Sequence, residues 1–574
     1  MSLASMIAKD IERYRSSESK AFSHGNVLDF LSPWKMIKFI SAIVYAMCQR
    51  IITLMYKPHV PKRHATVRSR GRVAVIGAGM SGISAAAHAF SHGFDVIIYE
   101  ESDHLGGIWA KANSSSGLQL HSILYRFHPA VVWSRAFPHK YEILKELSRV
   151  WREYKLESRT RFGVRVTSVE RVSSPEAKDD YNPSRHGHAQ WKINDGSDGN
   201  FDAVIVAVGT CGDAKWIRFP GMPKESHQTS SDSSSSSSSD HRGEGQDQPH
   251  EGYQHHEARE ERKVEGGEDS FRGPIFHSSQ FDSAQIDDVL GRTVVVIGSG
   301  ASAVEAVETA LAGGAAKCIM LAREDKWIIP RNLFLDVLMA MQPFGREMPM
   351  GFVWEEFLKR WHYRGVEHLV PPFHGPFEST PVVNDKFLPY VRMGKCEYVR
   401  GDIERLTSKG VLVNVRQRVS KAGDRGQRME IPADVIVLAT GYKPTSVDFL
   451  PKDLFPEGYE LFLQNFSMED WSIMLLNSAH VDGIGTVGHV HIGIYTRILL
   501  MLMMDFKTRP STQDMKVWVH DVHYLKHGAT GGVLRLFTYI ELTLWLGLYY
   551  ALRPDRWKWL PFILFGWGVH PQYA

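Results

Sequence analysis

Cysteine is scarce in this chain. Cys48, Cys211, Cys318 and Cys396 are the four in 574 residues, with no C-x-x-C pair and no histidine at the spacing a zinc site uses. That pattern excludes a disulfide scaffold and a structural zinc centre, and it suits a reducing compartment. Excess charge is missing too: 67 Lys and Arg stand against 64 Asp and Glu, a net +3. So small an excess cannot match the phosphates a dedicated nucleic-acid binder must neutralise, which leaves small-molecule chemistry as the expectation. No Ser/His/Asp arrangement and no paired carboxylates stand out. The first 35 residues are polar and charged and hold no secretory signal, so the N-terminus is expected in the cytosol.

A long unbroken apolar run is also wanting. "MIKFISAIVYAMCQRIITLMY" (36–56) comes near, but Gln49 and Arg50 interrupt it before the roughly 20 apolar residues of a spanning helix are reached. An interfacial helix or short anchor is one reading, and a helix packed on the globular body is the other. The last sixty residues concentrate Trp545, Trp557, Trp559 and Trp567, whose amphipathic rings suit a headgroup layer. There Glu541 and the Arg553-Pro554-Asp555-Arg556 stretch break the apolar pattern, so a docked C-terminal helix remains an alternative.

What is present is an α/β alternation, twice. "RVAVIGAGMSGISAAAHAFSHGFDVIIYE" reads as strand, Gly77-x-Gly79-x-x-Gly82 turn, helix and strand, closing on Glu100. The glycines serve a tight turn, close backbone approach to a pyrophosphate and close helix–strand packing, and the acid suits ribose hydroxyls. "RTVVVIGSGASAVEAVETALAGGAAKCIMLAR" repeats the device with Gly298-x-Gly300-x-x-Ala303 but ends on Arg323, with Lys326 nearby. A cation there suits a 2′-phosphate and selects NADPH over NADH. Two such sites on one chain imply hydride transfer from NADPH to a second nucleotide, most simply FAD. "FDAVIVAVGT" (201–210) and "DVIVLATGY" (434–442) add two buried parallel strands ending in small residues, where the backbone can cross between domains. Between the two alternations, a polar serine- and histidine-rich insertion has almost nothing to bury, and its His250, His255 and His256 have no fold to hold them as metal ligands.

Order resumes after the insertion at "FRGPIFHSSQF" (271–281). Its Phe-x-Gly-x-x-x-His-x-x-x-Phe spacing, set between two glycine turns, resembles the fingerprint of the class B flavin monooxygenases, in the flavin-containing monooxygenase-like group of fungal type. The similarity runs from about residue 72 to 505 and includes "GGIW" (106–109), "RxxxWxxPR" (323–331) and "ATGY" (439–442). It implies FAD and NADPH as cofactors, with Gly107, Trp109, Thr440 and Gly441 at the nucleotides and His277 positioning the two domains. It also implies NADPH reducing FAD, oxygen activation as a C4a-(hydro)peroxyflavin, and transfer of one oxygen atom from O2 to a lipophilic small molecule. The expected target is a soft nitrogen or sulfur centre, with ketone insertion of Baeyer–Villiger type as the alternative. Arg331 falls near the cation that Baeyer–Villiger relatives keep, and His121 falls where relatives have an asparagine near the flavin. Phe281 departs from the Trp or Tyr usual at the last fingerprint position. A non-oxygenating flavin module at a membrane is the reading from another class.

The expected architecture is therefore α/β, with two Rossmann-like dinucleotide-binding domains and the NADPH domain inserted in the FAD domain. The expected segments are 1–70, an extension with a membrane-associating helix; 71–222, the first FAD part; 223–270, the insertion; 271–430, the fingerprint linker and NADPH domain; 431–515, the second FAD part; and 516–574, an apolar and aromatic tail. The cytosolic face of an intracellular membrane such as the endoplasmic reticulum, or the cytoplasm, is the expected location.

Overall fold

The computed structural model describes residues 33–62, 67–172, 190–223, 270–282, 286–333, 351–376, 381–455, 460–478, 489–526 and 539–573. The insertion expected over 223–270 lies almost wholly outside them, as do residues 1–32.

The first element among the described residues is helix α1 (Pro33–Tyr56), which ends just before Pro58. The first sheet is built from β1 (Arg72–Ile76), β2 (Asp95–Glu100), β3 (Thr160–Phe162) and β4 (Ala203–Val206), with α2 (Met80–Ser91) between β1 and β2. The second takes β5 (Ile275–His277), β6 (Thr293–Ile297), β7 (Lys317–Ala322), β8 (Cys396–Thr407), β9 (Gly410–Val415), β10 (Gln427–Pro432) and β11 (Val435–Leu438), with α3 (Ala301–Ala312) between β6 and β7. The chain then returns to the first sheet with β12 (Ile473–Leu475). The strand orders are β12-β4-β1-β2-β3, all parallel, and β10-β9-β8-β7-β6-β11-β5, parallel except for the β8–β9–β10 meander.

Runs of Val and Ile make these strands because both faces are covered. Along β1, Val73 and Val75 enter one core with α2, while Ala74 and Ile76 enter another with Trp191 and Phe201. Along β6, Val294 and Val296 face α3, while Val295 and Ile297 face the core around Leu406 and Val413. The period of two is that of the pleat, and it leaves the strand ends free to carry the turns.

One expectation needs correction. The strand 435–438 pairs with β6 and β5 in the second sheet, so the chain leaves that unit after Gly441 and not at 431. The return strand of the first sheet is β12. Gln49, which breaks the apolar run in sequence, lies within α1. It is 1% exposed on the inner face, where its Oε1 accepts from Arg126 Nη2 (2.8 Å) and Trp133 N (2.7 Å) and its Nε2 donates to Trp133 O (3.1 Å). Phe39–Tyr56 is long and apolar enough to cross a membrane by length and composition. Glu541 is buried likewise and accepts from Trp518 Nε1 (3.1 Å). The C-terminal aromatics divide: Trp545 and Tyr550 join the first core, while Trp557 and Trp567 stay exposed.

Candidate functional site

Each glycine turn sits at the C-terminal end of its parallel sheet, where α/β folds bind ligands. At Gly77, φ is +108° and a Cβ would stand 2.5 Å from the Ala207 carbonyl oxygen; at Gly298, φ is +131° and a Cβ would stand 2.4 Å from that of Ala439. In both sheets the neighbouring strand, β4 or β11, runs so close to the turn that only glycine fits. A Cβ on Gly82 would meet the Gly77 carbonyl at 1.9 Å, whereas the second turn has room for Ala303, fully buried in the α3 packing.

The helices that follow, α2 and α3, begin at Gly79 and Gly300 with no side-chain cap. Their first N–H groups therefore point out of bare backbone, the arrangement that receives a phosphate. At Gly300 and at Gly441 a Cβ would meet nothing within 4 Å. At the first turn the "GGIW" loop closes the cradle: a Cβ on Gly107 would come 3.3 Å from Gly79 Cα, and Trp109 rests against the first core. Both turns thus fit a dinucleotide pyrophosphate.

Their charges differ. Glu100, 8% exposed at the end of β2, accepts from Ala78 N (2.7 Å) and Ser102 N (2.9 Å), which holds the carboxylate at the turn with lone pairs left for a ribose. Arg323 directly follows β7 and has a largely exposed side chain, its Nε 3.7 Å from Asp402 Oδ1, while Asp402 is engaged more closely by Arg416 (2.9 Å). Arg323 accordingly has donors to spare for a second anion.

Two strands of linker cross between the sheets and pair with each other. Lys215 N donates to Gly441 O (2.9 Å), Gly212 N to Lys443 O (2.9 Å) and Lys443 N to Asp213 O (2.8 Å), and Thr440 Oγ1 donates to Lys215 O. Thr440 and Gly441 therefore belong to the hinge ribbon as well as to the second turn. His277 ends β5 opposite Leu438, fully buried against Trp216 (ring centroids 5.4 Å) and Tyr442 (5.9 Å) of that ribbon. Its Nδ1 lies 3.2 Å from Ser279 N and 2.8 Å from Ser279 Oγ, which anchors the ring to the turn that follows.

Arg331 and His121 are connected through a residue the sequence did not single out. Phe137 lies edge-on to His121 (5.5 Å) on one side and beneath the Arg331 guanidinium (5.7 Å) on the other. The Nε of Arg331 is buried without a protein partner, and burial pulls the His121 pKa down to about 4, so that ring is neutral. His121 also packs edge-on to Tyr45 of α1 (5.7 Å).

A seam of short side chains ties the two units together beside these groups. Asn113 Nδ2 donates to Ser278 O (2.7 Å), Ser114 Oγ to Asp282 and Ser116 Oγ to Glu305 Oε2 (2.9 Å), and Ser115 Oγ pairs with Thr309 Oγ1 (2.9 Å). Burial raises the pKa of Glu305, offset in part by Ser116, and its charge is felt both at Tyr442 and, through attraction, at Arg331. Glu305 and Glu308 are the charged residues of α3, three apart, and of the two only Glu305 reaches this seam, while Glu308 holds Asn384 and Lys386. The structure therefore sets the predicted glycines in two turns on two sheets, with His277 at the ribbon that joins them and Arg331 and His121 on either side of Phe137.

A family model for an NAD(P)-binding Rossmann-like domain matches residues 75–147. The chain is 26% identical to an uncharacterized monooxygenase of Sinorhizobium fredii over 58% of its own length and 42% of the relative's. It is 23% identical to a putative flavin-containing monooxygenase of Arabidopsis thaliana over 81% and 93%, and 24% identical to a Baeyer-Villiger monooxygenase of Pseudomonas aeruginosa over 45% and 39%. The chain thus spans less than half of two of these three relatives. Among solved structures, an open cyclohexanone monooxygenase superposes with a TM-score of 0.56 at 15% identity, covering 84% of this chain and 98% of that one. An oxidized steroid monooxygenase bound to NADP gives 0.55 at 17%, with the same coverage. The chain is a relative of the flavin-containing and Baeyer-Villiger monooxygenases, built on the fold of two dinucleotide-binding domains that they share.

Proposed function

We propose that this protein is an FAD- and NADPH-dependent monooxygenase that transfers one oxygen atom of O2 to a small, lipophilic organic molecule. One observation carries the reading: two uncapped glycine turns stand on two sheets of one chain, one with Glu100 at the end of its second strand and the other with Arg323 just past the end of its own. Gly77, Gly79, Gly82, Gly107 and Glu100 would hold FAD, and Gly298, Gly300, Ala303 and Arg323 would hold NADPH. Bound FAD, reduced by NADPH, supplies the oxygen chemistry, which no side chain here could perform.

The chain's own residues orient and shield. His277, pressed between Trp216 and Tyr442, stiffens the hinge ribbon, so the nicotinamide unit meets the flavin unit at a set angle. The Phe137 ring and neutral His121 keep that part of the cleft apolar, which excludes water and strengthens charge interactions inside it. Oxygenation of a soft nitrogen or sulfur centre asks no more of the protein than this.

A second reading, insertion into a ketone, is favoured by Arg331. A fixed cation with a buried, unengaged Nε over Phe137 is placed to stabilise an anionic oxidant or a developing oxyanion. Product analysis under isotopically labelled oxygen, across amines, thioethers and ketones, tests both: one labelled atom per product molecule is expected. Arg331→Ala should lower ester formation on the order of 100-fold while sparing sulfide oxidation if ketones are the substrates. Equal loss of both activities would refute that role for Arg331. NADPH consumption without any labelled product would instead support the non-oxygenating module.

A further inference from the structure

Helix α1 is turned inside out relative to a helix of a water-soluble body. Its inner face carries Ala42 and Ala46 with three hydrogen-bonding side chains: Tyr45 Oη donates to Arg135 O (2.8 Å), Gln49 bonds as described above, and Thr53 Oγ1 donates to Pro129 O (3.0 Å). The opposite face carries Met36, Ile40, Val44, Met47, Ile51 and Leu54, at steps of three and four, each about half exposed or more, with Leu54 at 73%. Amphipathic helices at a protein surface bury the apolar stripe and wet the polar one; here the reverse holds. Between Phe39 and Tyr56 there is no acidic residue, and Arg50 is the sole charge.

From this arrangement we infer that the outer face of α1 lies flat in the surface of a phospholipid bilayer. A second copy of the chain is a poorer fit. One helix of 24 residues offers a strip about 36 Å long and about 10 Å wide, so about 360 Å² against the roughly 800 Å² per partner of a stable pairing. A bilayer sets no such threshold, because partitioning scales with whatever apolar area enters it. The strip also continues into the rings that suit an interface: Tyr56 packs on Phe565 (5.5 Å), which stacks on Trp567 (4.7 Å), itself half exposed. A separate ridge, Leu544, Leu548 and Leu552 at steps of four, followed by exposed Trp557, repeats the pattern in the tail, and two separate apolar ridges match an extended surface better than a shaped partner.

The orientation follows from the inner face. A helix that crossed the bilayer would have to pull Gln49 away from Arg126, leaving a fully buried guanidinium without that acceptor. Held along its length by residues 122–135, α1 lies on the membrane and does not pass through it. Tyr45 touches His121, so the membrane-facing helix backs directly onto the wall of the cleft, and a lipophilic compound would have a short path from bilayer to site.

Flotation of the full chain with phosphatidylcholine vesicles, with and without phosphatidylserine, tests the inference. The chain should float with the vesicles, and Val44→Glu and Ile51→Glu should each weaken binding about tenfold or more, with melting temperature unchanged because both side chains already face outward. Val517→Glu, exposed on another helix, should change nothing. Labels on Met36→Cys, Val44→Cys and Ile51→Cys, in a Cys48→Ser, Cys211→Ser background, should be quenched by brominated lipids at one shallow depth. A depth that changes steadily along the three positions would mean a span and overturn the flat orientation. Vesicle binding indifferent to the two charges, or a wild-type chain that ignores vesicles and dimerises through this face, would overturn the inference altogether.

Discussion

Arg323 and Glu100 stand at corresponding ends of two copies of one device, Glu100 as the last residue of the second strand after a glycine turn and Arg323 as the residue just after it, and they carry opposite charge. Arg323 spends little of its bonding capacity on the protein, since Arg416 already satisfies Asp402. Arg323→Ala should therefore raise KM for NADPH about 10- to 100-fold and leave that for NADH within about twofold, because only the phosphate contact is lost. Steady-state kinetics with both coenzymes reads this directly, and equal losses would count against the assignment. Buried histidines give a second prediction. Burial lowers the pKa of His92 to about 3 and that of His491 to about 4, so the folded state holds both rings neutral. Their stabilising contribution is complete above the unfolded value near 6.5 and is lost as pH falls below it, since the unfolded chain then binds protons the folded chain refuses. Urea unfolding between pH 7 and 5 should show stability falling with a slope approaching about 3 kcal/mol per pH unit from these two rings. A flat profile over that interval would contradict their burial in the neutral form.

Among the elements, α1 shows how far a linear reading can mislead. Scanned along the sequence, Gln49 looks like a flaw in an apolar run; seen on the helix, it is the residue that fastens the run to the body. Gln49→Leu would lengthen the apolar stretch, yet it should destabilise the fold by about 3 kcal/mol, because Arg126 and the Trp133 backbone lose buried partners. Chemical denaturation of the two proteins decides, and a stabilised variant would mean the inner face is not packed as described. The glycine turns behave in the opposite way. Their constraints are local: a strand carbonyl 2.4–2.5 Å from where a Cβ would stand forbids any side chain at Gly77 or Gly298, and such turns are visible in sequence because the forbidding geometry recurs with the motif. The 435–438 strand falls between these cases. Its burial was plain from "VIVL", but the sheet it joins is a matter of pairing that composition does not encode.

For the whole molecule, the relation between the two nucleotide units is what chemistry would depend on. Four consecutive residues, Asn113 to Ser116, meet residues 165 to 194 positions away, and the 211–216 and 440–443 strands form the hinge beside them. Replacing Ser114, Ser115 and Ser116 together by alanine should leave flavin content and melting temperature nearly unchanged while slowing NADPH-driven flavin reduction about tenfold, since loosened units reach the productive orientation less often. Stopped-flow reduction by NADPH, compared with chemical reduction by dithionite, separates orientation from flavin reactivity; an unchanged NADPH rate would show that the hinge ribbon alone sets the angle. The sequence by itself determined the α/β class, the two dinucleotide turns with their opposite charges, and the strand cores, because these rest on periodicity and spacing within some thirty residues. Only the tertiary structure decided that Phe137 links His121 to Arg331, that three serines and Glu305 clasp the units, and that α1 turns its apolar face outward. Those facts depend on which distant surfaces come to face each other, a choice made by the packing of the whole chain and written in no single stretch of it.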